Sequence, residues 1–498
     1  MEKKKYYITT PVYYANAEPH IGSAYTTIAA DVLARWNRIL GKEVFFLTGT
    51  DEHGQKIQET AEKAGKEPQK FVDEITKKFQ ETFKLLNISN NNFIRTSDKE
   101  HKKEVQKILQ ELYEKKLIYK GEYESYYCVG CEQYLTENDL VDGKCPLHNR
   151  EPELRKENAY LFKLSAFEKD LLKLIKSEKY QISPKKRQKE VIKFIETGLK
   201  DISISRLKEK VSWGIELPFD KEHTCFVWVD AFWNYLTGLK EKKSFDKFWP
   251  PDTQLLAKDI LRVHATIWPA LLLATENELP KKLFVHGYFT INGKKMSKSL
   301  GNAISPENLV NKYGVDSLRY FLLRKIPFGE DGDFSETSLA EAHNNELANK
   351  LGNLVSRVSA LAEKYGLEKT QIKTLKSSPL LKKVSSLLEN LELDKALSEI
   401  FAFIDKTNEY IQKSKPWESK DKKVLYELSN AIKDISILLS PFIPETSERI
   451  SKIFNFELTL KDLNSPLSTT KIKKAPILFE KIADDNKTKT HSTIQSSK

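Results

Sequence analysis

The sequence predicts an α/β fold in which a parallel sheet is split by an insertion and followed by an α-helical bundle. Three observations support this prediction. A strand, a helix and a second strand follow one another within the first fifty residues, a cysteine-containing stretch separates two sheet-forming regions, and helical periodicity dominates from about residue 336. Alternating strands and helices are typical of parallel sheets that are covered by helices.

The first unit is a strand–helix–strand motif. The β-rich run "YYITT" precedes a helix whose apolar positions recur at helical spacing and which ends at Gly41. The continuous apolar run "VFFL" then indicates a buried parallel strand. These segments predict a Rossmann-type sheet, in which ligands bind beyond the carboxyl ends of the strands.

The pattern along the chain predicts six segments. Residues 1–118 and 206–290 form the two halves of the Rossmann-type domain, 119–205 the insertion, 291–335 a linker with a lysine-rich loop, 336–475 the helical bundle, and 476–498 a disordered tail. The second half is expected to continue as sheet through "CFVWVDAFWNY" and to end in the strand "KLFVHGYFTI". The tail is polar and poor in apolar residues, as is typical of disorder.

The composition indicates a large globular protein with a mild excess of positive charge. The chain has 498 residues and a net charge of +11, which mildly favours a polyanionic partner. No apolar run reaches the roughly 20 residues that cross a bilayer, and the N-terminus lacks the apolar core of a signal peptide. We therefore expect a soluble, cytoplasmic protein that does not bind membranes.

The stretch "PHIGS" lies where the first strand turns into its helix. A helix N-terminus offers free N–H donors and a partial positive charge, and both favour a phosphate. Gly22 would let a nucleotide approach the backbone closely, and His20 could donate a hydrogen bond to a phosphate oxygen. The alternative is an ordinary turn in which Ser23 caps the helix.

The loop "INGKKMSKSLGN" follows the last predicted strand. Lys295 and Lys298 supply positive charge, Ser297 and Ser299 supply hydroxyl donors, and the flanking glycines allow movement. Nucleotidyl transfer depends mainly on positioning and on neutralising charge in the transition state, so a lysine loop that closes over a triphosphate would suit it. The alternative is a solvated, lysine-rich hairpin, which the joint occurrence of the two motifs disfavours.

A metal site is predicted independently in the insertion. Cys128, Cys131, Cys145 and His148 form the pattern C-x₂-C-x₁₃-C-x₂-H. Two close pairs separated by a loop suit tetrahedral Zn²⁺, and four protein ligands indicate a structural rather than a catalytic site. The alternatives are chance clustering and a redox pair. Cys225 is predicted to be a buried strand cysteine.

The paired motifs "HIGS" and "KMSKS" resemble the signatures of class I aminoacyl-tRNA synthetases. Over nearly the whole chain, "TTPVYYANAEPHIGSAYTT", "LTGTDEHGQKI" and "GYFTINGKKMSKSLGN" are similar to the bacterial methionyl-tRNA synthetases. Two residues depart from the family pattern. Ser23 replaces a histidine of the first motif, and Ala257 stands where a glycine near the ribose is common. Because Ser23 can still donate a hydrogen bond, we expect an altered rate rather than lost activity.

The resemblance implies positions for the two small substrates. Asp51, at the end of the second strand, would bind the α-ammonium group of methionine, and shape and sulfur–aromatic contact would select the thioether. The implied methionine site comprises Val12, Tyr14, Asp51, Trp228, Ala231, Tyr235, Ile260 and His264. The implied ATP site comprises Asn16, His20, Gly22, Ser23, Arg206, Glu216, Asp259 and Lys298, with His20, Lys295 and Lys298 taking part in catalysis.

The helical region supplies candidate RNA contacts. Asn349, Asn353 and Arg357 are spaced at i, i+4 and i+8 and would share one helix face. Trp417 follows "SKP" at a helix end, where an aromatic ring could stack on an unpaired base. The alternative is a solvated stripe with a tryptophan that caps the bundle. The resemblance implies that these residues contact and recognise the CAU anticodon.

The resemblance implies two-step aminoacylation with Mg²⁺–ATP, one structural zinc ion, L-methionine and tRNA(Met), including the initiator tRNA, as cofactors and partners. Since the chain ends after its helical bundle, where many members of the family carry a further dimerising domain, a monomer is expected. One alternative is another class I synthetase, which would differ by a large editing insertion or by an open zinc site. The other is a non-catalytic tRNA-binding paralogue, in which loss of Lys298, His20 or Asp51 is expected, and all three are present.

Overall fold

The structure is a computed structural model. It describes residues 4–130, 132–135, 137–146, 149–291, 294–295, 304–463 and 465–482. Among the helices in these ranges, none is both long enough and apolar enough to cross a bilayer.

The elements follow one another in four groups. The first contains β1 (Lys5–Tyr14), α1 (Ile21–Ile39), β2 (Glu43–Asp51), α2 (Gln55–Lys63), α3 (Pro68–Leu85), β3 (Asn92–Arg95) and α4 (Lys99–Glu114). The second contains β4 (Ile118–Cys128), β5 (Gln133–Leu135), β6 (Glu153–Phe162), α5 (Glu168–Lys176), β7 (Gln181–Ser183), α6 (Lys185–Glu196) and β8 (Ile202–Ser203).

The third group contains β9 (Ser205–Leu207), β10 (Glu216–Leu217), β11 (Asp220–Cys225), α7 (Val227–Phe232), α8 (Asn234–Glu241), α9 (Phe245–Phe248), β12 (Thr253–Ala257), α10 (Leu261–Ala274), β13 (Lys282–His286), β14 (Phe289–Ile291) and β15 (Lys294–Lys295). The fourth contains α11 (Pro306–Tyr313), α12 (Val315–Arg324), β16 (Gly332–Phe334), α13 (Glu336–Ala342), a π-helix (His343–Gly352), α14 (Asn353–Tyr365), α15 (Ser378–Glu389), α16 (Leu393–Ser414), α17 (Pro416–Ser419), α18 (Lys422–Leu439), α19 (Pro444–Phe454) and α20 (Leu460–Leu463).

The predicted Rossmann-type sheet is confirmed. Six parallel strands pair in the order β3-β2-β1-β12-β13-β7. Neighbouring residues of β1 point to opposite faces: Ile8 belongs to the hydrophobic core shared with α1, whereas Tyr7 belongs to the core shared with α8 and α10. The sheet is therefore covered on both faces, which explains why its strands read as continuous apolar runs.

The insertion is an antiparallel sheet with the order β5-β4-β6-β8. Its predicted range of 119–205 includes β7, which instead forms the edge strand of the main sheet by pairing with β13. The chain thus builds most of the small sheet with β4 to β6, adds β7 to the main sheet, and then completes the small sheet with β8. A three-residue edge strand carries too little pattern to be recognised in the sequence.

Two other predictions differ from the structure. The segment "CFVWVDAFWNY", predicted as sheet, forms the helices α7 and α8 after Cys225, which ends β11 and is buried as expected. Residues 476–482, predicted as part of the disordered tail, pack on the bundle: Leu478 is buried and the Ile482 N–H donates to Asn344 Oδ1 at 3.0 Å.

The helical bundle is confirmed and shares a hydrophobic core with the sheet domain. Ile28 and Trp36 of α1, Leu318 of α12, and Ile400 and Leu428 of the bundle belong to one continuous buried cluster. The bundle is therefore linked to the helix that carries the "HIGS" motif through α12, which packs on both α1 and α16.

Candidate active site

The predicted site residues gather at the carboxyl edge of the main sheet. β1 ends at Tyr14 directly opposite Asp51, the last residue of β2, and Ala257 of β12 lies opposite His286 of β13. Open α/β sheets bind their ligands at this edge.

The first turn of α1 is organised by His20, which is the N-cap of the helix. Its Nδ1 accepts a hydrogen bond from the Gly22 N–H at 3.0 Å, so the neutral ring carries its proton on Nε2 and can donate it. The Ser23 hydroxyl donates to the His20 carbonyl at 2.7 Å and accepts from the His20 N–H at 3.1 Å. In this arrangement Ser23 is not the cap, and its proton is already used within the turn rather than offered to ATP.

The end of β13 lies beside this turn. His286 Nδ1 is 2.7 Å from the carbonyl of the next residue, and its Nε2 is 2.8 Å from the Thr26 hydroxyl of α1. Because a carbonyl can only accept, Nδ1 carries the proton and Nε2 accepts from Thr26. Burial lowers the pKa of His286 to about 4, so the ring is neutral near pH 7. Asp259, just after β12, contributes after burial to raising the pKa of the Tyr288 phenol.

The lysine-rich loop begins as a β-hairpin in which Thr290 of β14 pairs with Lys295 of β15. The Lys295 side chain, Ser297, Lys298 and Ser299 lie outside the described residues. Residue 304, where the description resumes, is tied to the site: the Ile21 N–H donates to the Ile304 carbonyl at 3.1 Å. The chain after the loop therefore contacts the first turn of α1.

The other residues predicted around ATP have different surroundings. Asn16 follows β1 and is half-buried at the sheet edge. Arg206 of β9 is buried, with its guanidinium carbon 4.1 Å from the centre of the Phe226 ring, and its Nη2 has no hydrogen-bond partner among the described residues. Glu216 of β10 forms an ion pair with Lys208. Its carbonyl accepts from Gln106 of α4 at 3.0 Å, so the contacts described for Glu216 involve α4 and the three-stranded sheet β10-β11-β9, not the first turn of α1.

Four aromatic side chains of α7, α8 and α10 pack together in a cluster that we call the aromatic pocket: Trp228, Phe232, Tyr235 and His264. His264 Nδ1 donates to the Ile260 carbonyl at 2.9 Å, which leaves Nε2 to accept from the Tyr235 hydroxyl at 2.9 Å. Burial lowers the pKa of His264 to about 4. The polar end of the pocket is therefore a neutral imidazole whose two nitrogens are both satisfied.

The walls of this pocket are aromatic and aliphatic. The His264 ring centre is 5.0 Å from that of Phe232 and 6.4 Å from that of Trp228. The remaining residues predicted for the methionine site lie around the pocket: Val12 and Ile260 pack against its core, Ala231 is buried on α7, and Tyr14 packs with Trp228. The structure thus brings together residues from five separate elements.

Asp51 lies next to this pocket in acidic surroundings. Burial is the largest cause that raises its pKa well above the usual range, followed by the charges of Asp230, Glu132 and Glu52. Its Oδ1 is 3.5 Å from the Thr96 hydroxyl, which is a long and weak contact. A ligand cation placed here would stabilise the ionised form of the buried Asp51 carboxyl group.

Asp230 is a site residue that the sequence did not single out. Its Oδ2 is 2.6 Å from His53 Nδ1 and its Oδ1 is 2.8 Å from His101 Nε2. Burial alone would raise its pKa, but the two histidines hold it below the usual range. Because His53 follows Asp51 by two residues and Asp230 follows Trp228 by two, the pair fixes the acidic residue relative to the pocket wall. In the sequence, the polar residues within "TGTDEHG" and "WVDAF" were the only sign of this pair.

Half of the predicted metal ligands are described. Cys128 ends β4, Cys145 follows a short β-bridge, and both are buried. Cys131 and His148 lie outside the described residues. Within the described ranges there is no group of three or more metal-ligating side chains, so the geometry of the predicted four-ligand site is not part of the description.

The predicted RNA contacts lie on α14 and α17. The guanidinium carbon of Arg357 is 5.4 Å from the centre of the Trp417 ring, Asn353 is exposed, and Trp417 is half-buried. Asn349 lies in the π-helix, where hydrogen bonds run from i to i+5, so the i, i+4 spacing expected between Asn349 and Asn353 does not apply there. Arg357 also reaches Gln412 of α16, at 3.1 Å once the amide is oriented to accept.

Comparison with known proteins agrees with these features. The family model described as tRNA synthetases class I (M) matches residues 6–151 and 138–359, and that of the anticodon-binding domain of tRNA ligase matches residues 376–495. A methionine–tRNA ligase of Caldanaerobacter subterraneus subsp. tengcongensis is 43% identical over 96% of this chain and 79% of its own.

Solved structures are also similar. The methionyl-tRNA synthetase of Mycobacterium tuberculosis in complex with methionyl-adenylate superposes with a TM-score of 0.91 at 33% identity, over 96% of this chain and 99% of that one. The free form of the same enzyme superposes with a TM-score of 0.84 at 30% identity, over 97% and 99% of the two chains.

The parallel sheet, the His20 turn and the anticodon-binding bundle together define a class I aminoacyl-tRNA synthetase. Within that class, the chain belongs to the methionyl-tRNA synthetase family, and its activity is that of a methionine–tRNA ligase.

Proposed function

We propose that the aromatic pocket receives the methionine side chain and that Asp51 binds its α-ammonium group. The observation that carries this assignment is the pairing of a neutral, aromatic pocket with a buried carboxylate at its edge. A thioether accepts only weak hydrogen bonds, so aromatic walls around an imidazole whose nitrogens are both satisfied favour it over a more polar side chain. The structure superposes more closely on the adenylate-bound form of the relative than on its free form, which supports reading the pocket described above as the ligand-bound arrangement.

Activation of methionine would then proceed at the first turn of α1. The methionine carboxylate attacks the α-phosphorus of ATP, the bond to the β-phosphate breaks, and methionyl-adenylate and pyrophosphate form. The N–H groups of α1 and Nε2–H of His20 would stabilise the developing phosphate charge. When bound with ATP, Mg²⁺ supplies further neutralisation of the phosphates. By the sequence motif, Lys295 and Lys298 would add positive charge from the loop.

In the second step, the terminal ribose hydroxyl of tRNA(Met) attacks the carbonyl carbon of the adenylate. The bond between that carbon and the phosphate oxygen breaks, and AMP leaves. No protein side chain acts as a covalent nucleophile, and the enzyme contributes orientation and charge stabilisation. Asn349, Asn353, Arg357 and Trp417 would read the anticodon, for the elongator and the initiator tRNA alike; the stacked Arg357–Trp417 pair supports this role.

We also propose that the insertion holds one structural zinc ion. Cys128, Cys131, Cys145 and His148 would supply three thiolates and one imidazole, the donor set that tetrahedral zinc prefers. Burial of Cys128 and Cys145 fits this role, because a closed structural site is shielded from solvent. We further propose that this methionine–tRNA ligase is cytoplasmic and acts as a monomer.

The experiment that tests the proposed amino-acid site is ATP–pyrophosphate exchange across a panel of amino acids. Exchange that depends on methionine alone is expected from the wild-type chain. Asp51→Asn should raise the KM for methionine strongly and leave the KM for ATP nearly unchanged, whereas Asp170→Asn, at an exposed position of α5, should change neither. An unchanged KM for methionine in Asp51→Asn would remove the ammonium assignment.

A further inference from the structure

Building on the methionine site proposed above, we propose that Glu132 is a positioning residue of that site, through which the insertion acts on the bound amino acid. Glu132 directly precedes β5, and only 3% of its surface is exposed. Glutamate is rarely buried to this extent unless its carboxylate is paired. Its backbone φ of 47° is in the left-handed region, which residues other than glycine seldom adopt.

Glu132 binds two parts of the catalytic domain. Its Oε1 accepts a hydrogen bond from the Lys56 N–H at 2.7 Å, in the first turn of α2, and its main-chain carbonyl accepts from Trp228 Nε1 at 2.9 Å. Trp228 is a wall of the aromatic pocket. One residue of the insertion therefore fixes both a helix that follows Asp51 and the indole that faces His264.

The second carboxylate oxygen of Glu132 is directed toward the site. Glu132 Oε2 and the Tyr14 hydroxyl are both buried, and neither has a hydrogen-bond partner of ordinary geometry among the described residues. Both lie around Gly54, where a Cβ would come within 2.5 Å of Oε2 and 2.9 Å of the Tyr14 hydroxyl. Gly54, with φ 110°, leaves the space that these two groups occupy.

The position of Glu132 explains how the insertion contributes to substrate binding. It orients Trp228 by a direct hydrogen bond, and its carboxyl group lies beside the Tyr14 hydroxyl around Gly54, near Asp51, where the α-ammonium group is proposed to bind. Loss of the carboxylate should therefore weaken methionine binding, with little effect on ATP.

The test compares Glu132→Gln, which keeps an acceptor for Lys56 but removes the charge, with Glu132→Ala, which removes both. In pyrophosphate exchange, the KM for methionine should rise about tenfold in Glu132→Gln and more in Glu132→Ala, as expected when hydrogen bonds to a charged group are lost. The KM for ATP should change less than about twofold. Inhibition by methioninol, which keeps the ammonium group and lacks the carboxylate, should weaken by the same factor. Glu124→Gln, at an exposed position of β4, is the matched control and should behave as wild type.

Three outcomes are distinguishable. A rise in the KM for methionine with partial recovery in Glu132→Gln supports the proposal. If Tyr235→Phe raises the KM for methionine but Glu132→Gln and Glu132→Ala leave it unchanged, the role of Glu132 is overturned and the pocket assignment stands. If none of the three variants changes the KM for methionine, the pocket assignment is overturned as well. Bound metal and melting temperature are measured for each variant. If Glu132→Ala loses metal, the proposal is tested by Glu132→Gln alone. An equal rise in the KM for methionine and the KM for ATP in Glu132→Gln also overturns the proposal.

Discussion

Asp31 of α1 and Arg319 of α12 form a fully buried ion pair, with Oδ2 and Nη2 2.7 Å apart. The remaining donors of Arg319 bind main-chain carbonyls: Nε that of Phe442 at 2.9 Å, Nη1 that of Leu86 at 3.0 Å, and Nη2 also that of Pro441 at 2.8 Å. The guanidinium thus joins the "HIGS" helix to the turn between α18 and α19 of the bundle.

Arg319→Met should destabilise the protein by about 3–5 kcal/mol, because it leaves the Asp31 carboxylate buried without its main partner. Urea unfolding at pH 7 measures the change. Lys107→Met, at an exposed position of α4, should stay within about 0.5 kcal/mol of wild type. Similar stabilities for Arg319→Met and Lys107→Met would contradict this role of the ion pair.

The two buried histidines of the site should each make the stability fall as the pH is lowered from about 6.5 toward 4. Burial lowers the pKa of His264 and of His286 to about 4, whereas an unfolded histidine titrates near 6.5. The unfolded state therefore binds these protons first, and each histidine costs about 1.4 kcal/mol of stability per pH unit within that window. His264→Gln should remove one of the two contributions, which urea unfolding at pH 7, 6 and 5 detects as a shallower slope. An unchanged slope would rule out a neutral, buried His264.

Tyr235→Phe should raise the KM for methionine about tenfold or more and leave the KM for ATP nearly unchanged. The substitution removes the donor to His264 Nε2 and leaves a buried acceptor unsatisfied, at a cost of about 1–3 kcal/mol. Tyr426→Phe is the matched control, since the Tyr426 hydroxyl donates to the Leu467 carbonyl at 2.8 Å inside the bundle. Equal KM values for methionine in the two variants would argue against a pocket at His264.

Cys145→Ser should lower the bound zinc from one equivalent to a small fraction, because a tetrahedral structural site does not tolerate loss of a thiolate. Metal analysis of the purified protein gives the readout, and protease sensitivity of the insertion should rise with it. Cys225→Ser replaces a buried cysteine outside the metal pattern and should retain zinc. Full zinc content in Cys145→Ser would exclude this residue as a ligand.

Arg357→Ala and Trp417→Ala should raise the KM for tRNA(Met) at least tenfold and leave pyrophosphate exchange unchanged. The two side chains stack on each other in the bundle, and a base that stacks on an aromatic ring contributes about 1–3 kcal/mol. Lys364→Ala, on the exposed surface of the same helix, is the control for general loss of positive charge. A loss of exchange in either variant would show that the substitution disturbs the catalytic domain instead.

The sequence predicted the elements whose pattern is local. β1, α1 and β2 have a clear strand or helix period, and the bundle helices have long apolar stripes, so these elements could be recognised. α7 and α8 could not, because helices that are buried on all sides lose their periodicity and resemble a strand. The π-helix was equally hidden, since no pattern in "HNNELANKLG" distinguishes it from an α-helix.

The site residues also divide into those that a local sequence pattern reveals and those that only the folded chain reveals. His20 and the metal-ligand pattern stand in short motifs, whereas Asp230 and Glu132 acquire their roles only through distant partners. Asp230 binds His53, which lies 177 positions away, and the Glu132 carboxylate binds the Lys56 backbone, 76 positions away. Burial of a carboxylate is a property of the folded chain, so the composition around either residue carries no sign of it.

The continuous core between α1 and the bundle has a consequence for how such a protein can change over time. Because α12 packs on α1 on one side and on α16 and α19 of the bundle on the other, the RNA-reading half is not an appendage that could be exchanged by recombination. A foreign bundle would need a surface that matches α12 and main-chain carbonyls that accept from Arg319. Inheritance should therefore favour gradual substitution in both halves together over the shuffling of one against the other.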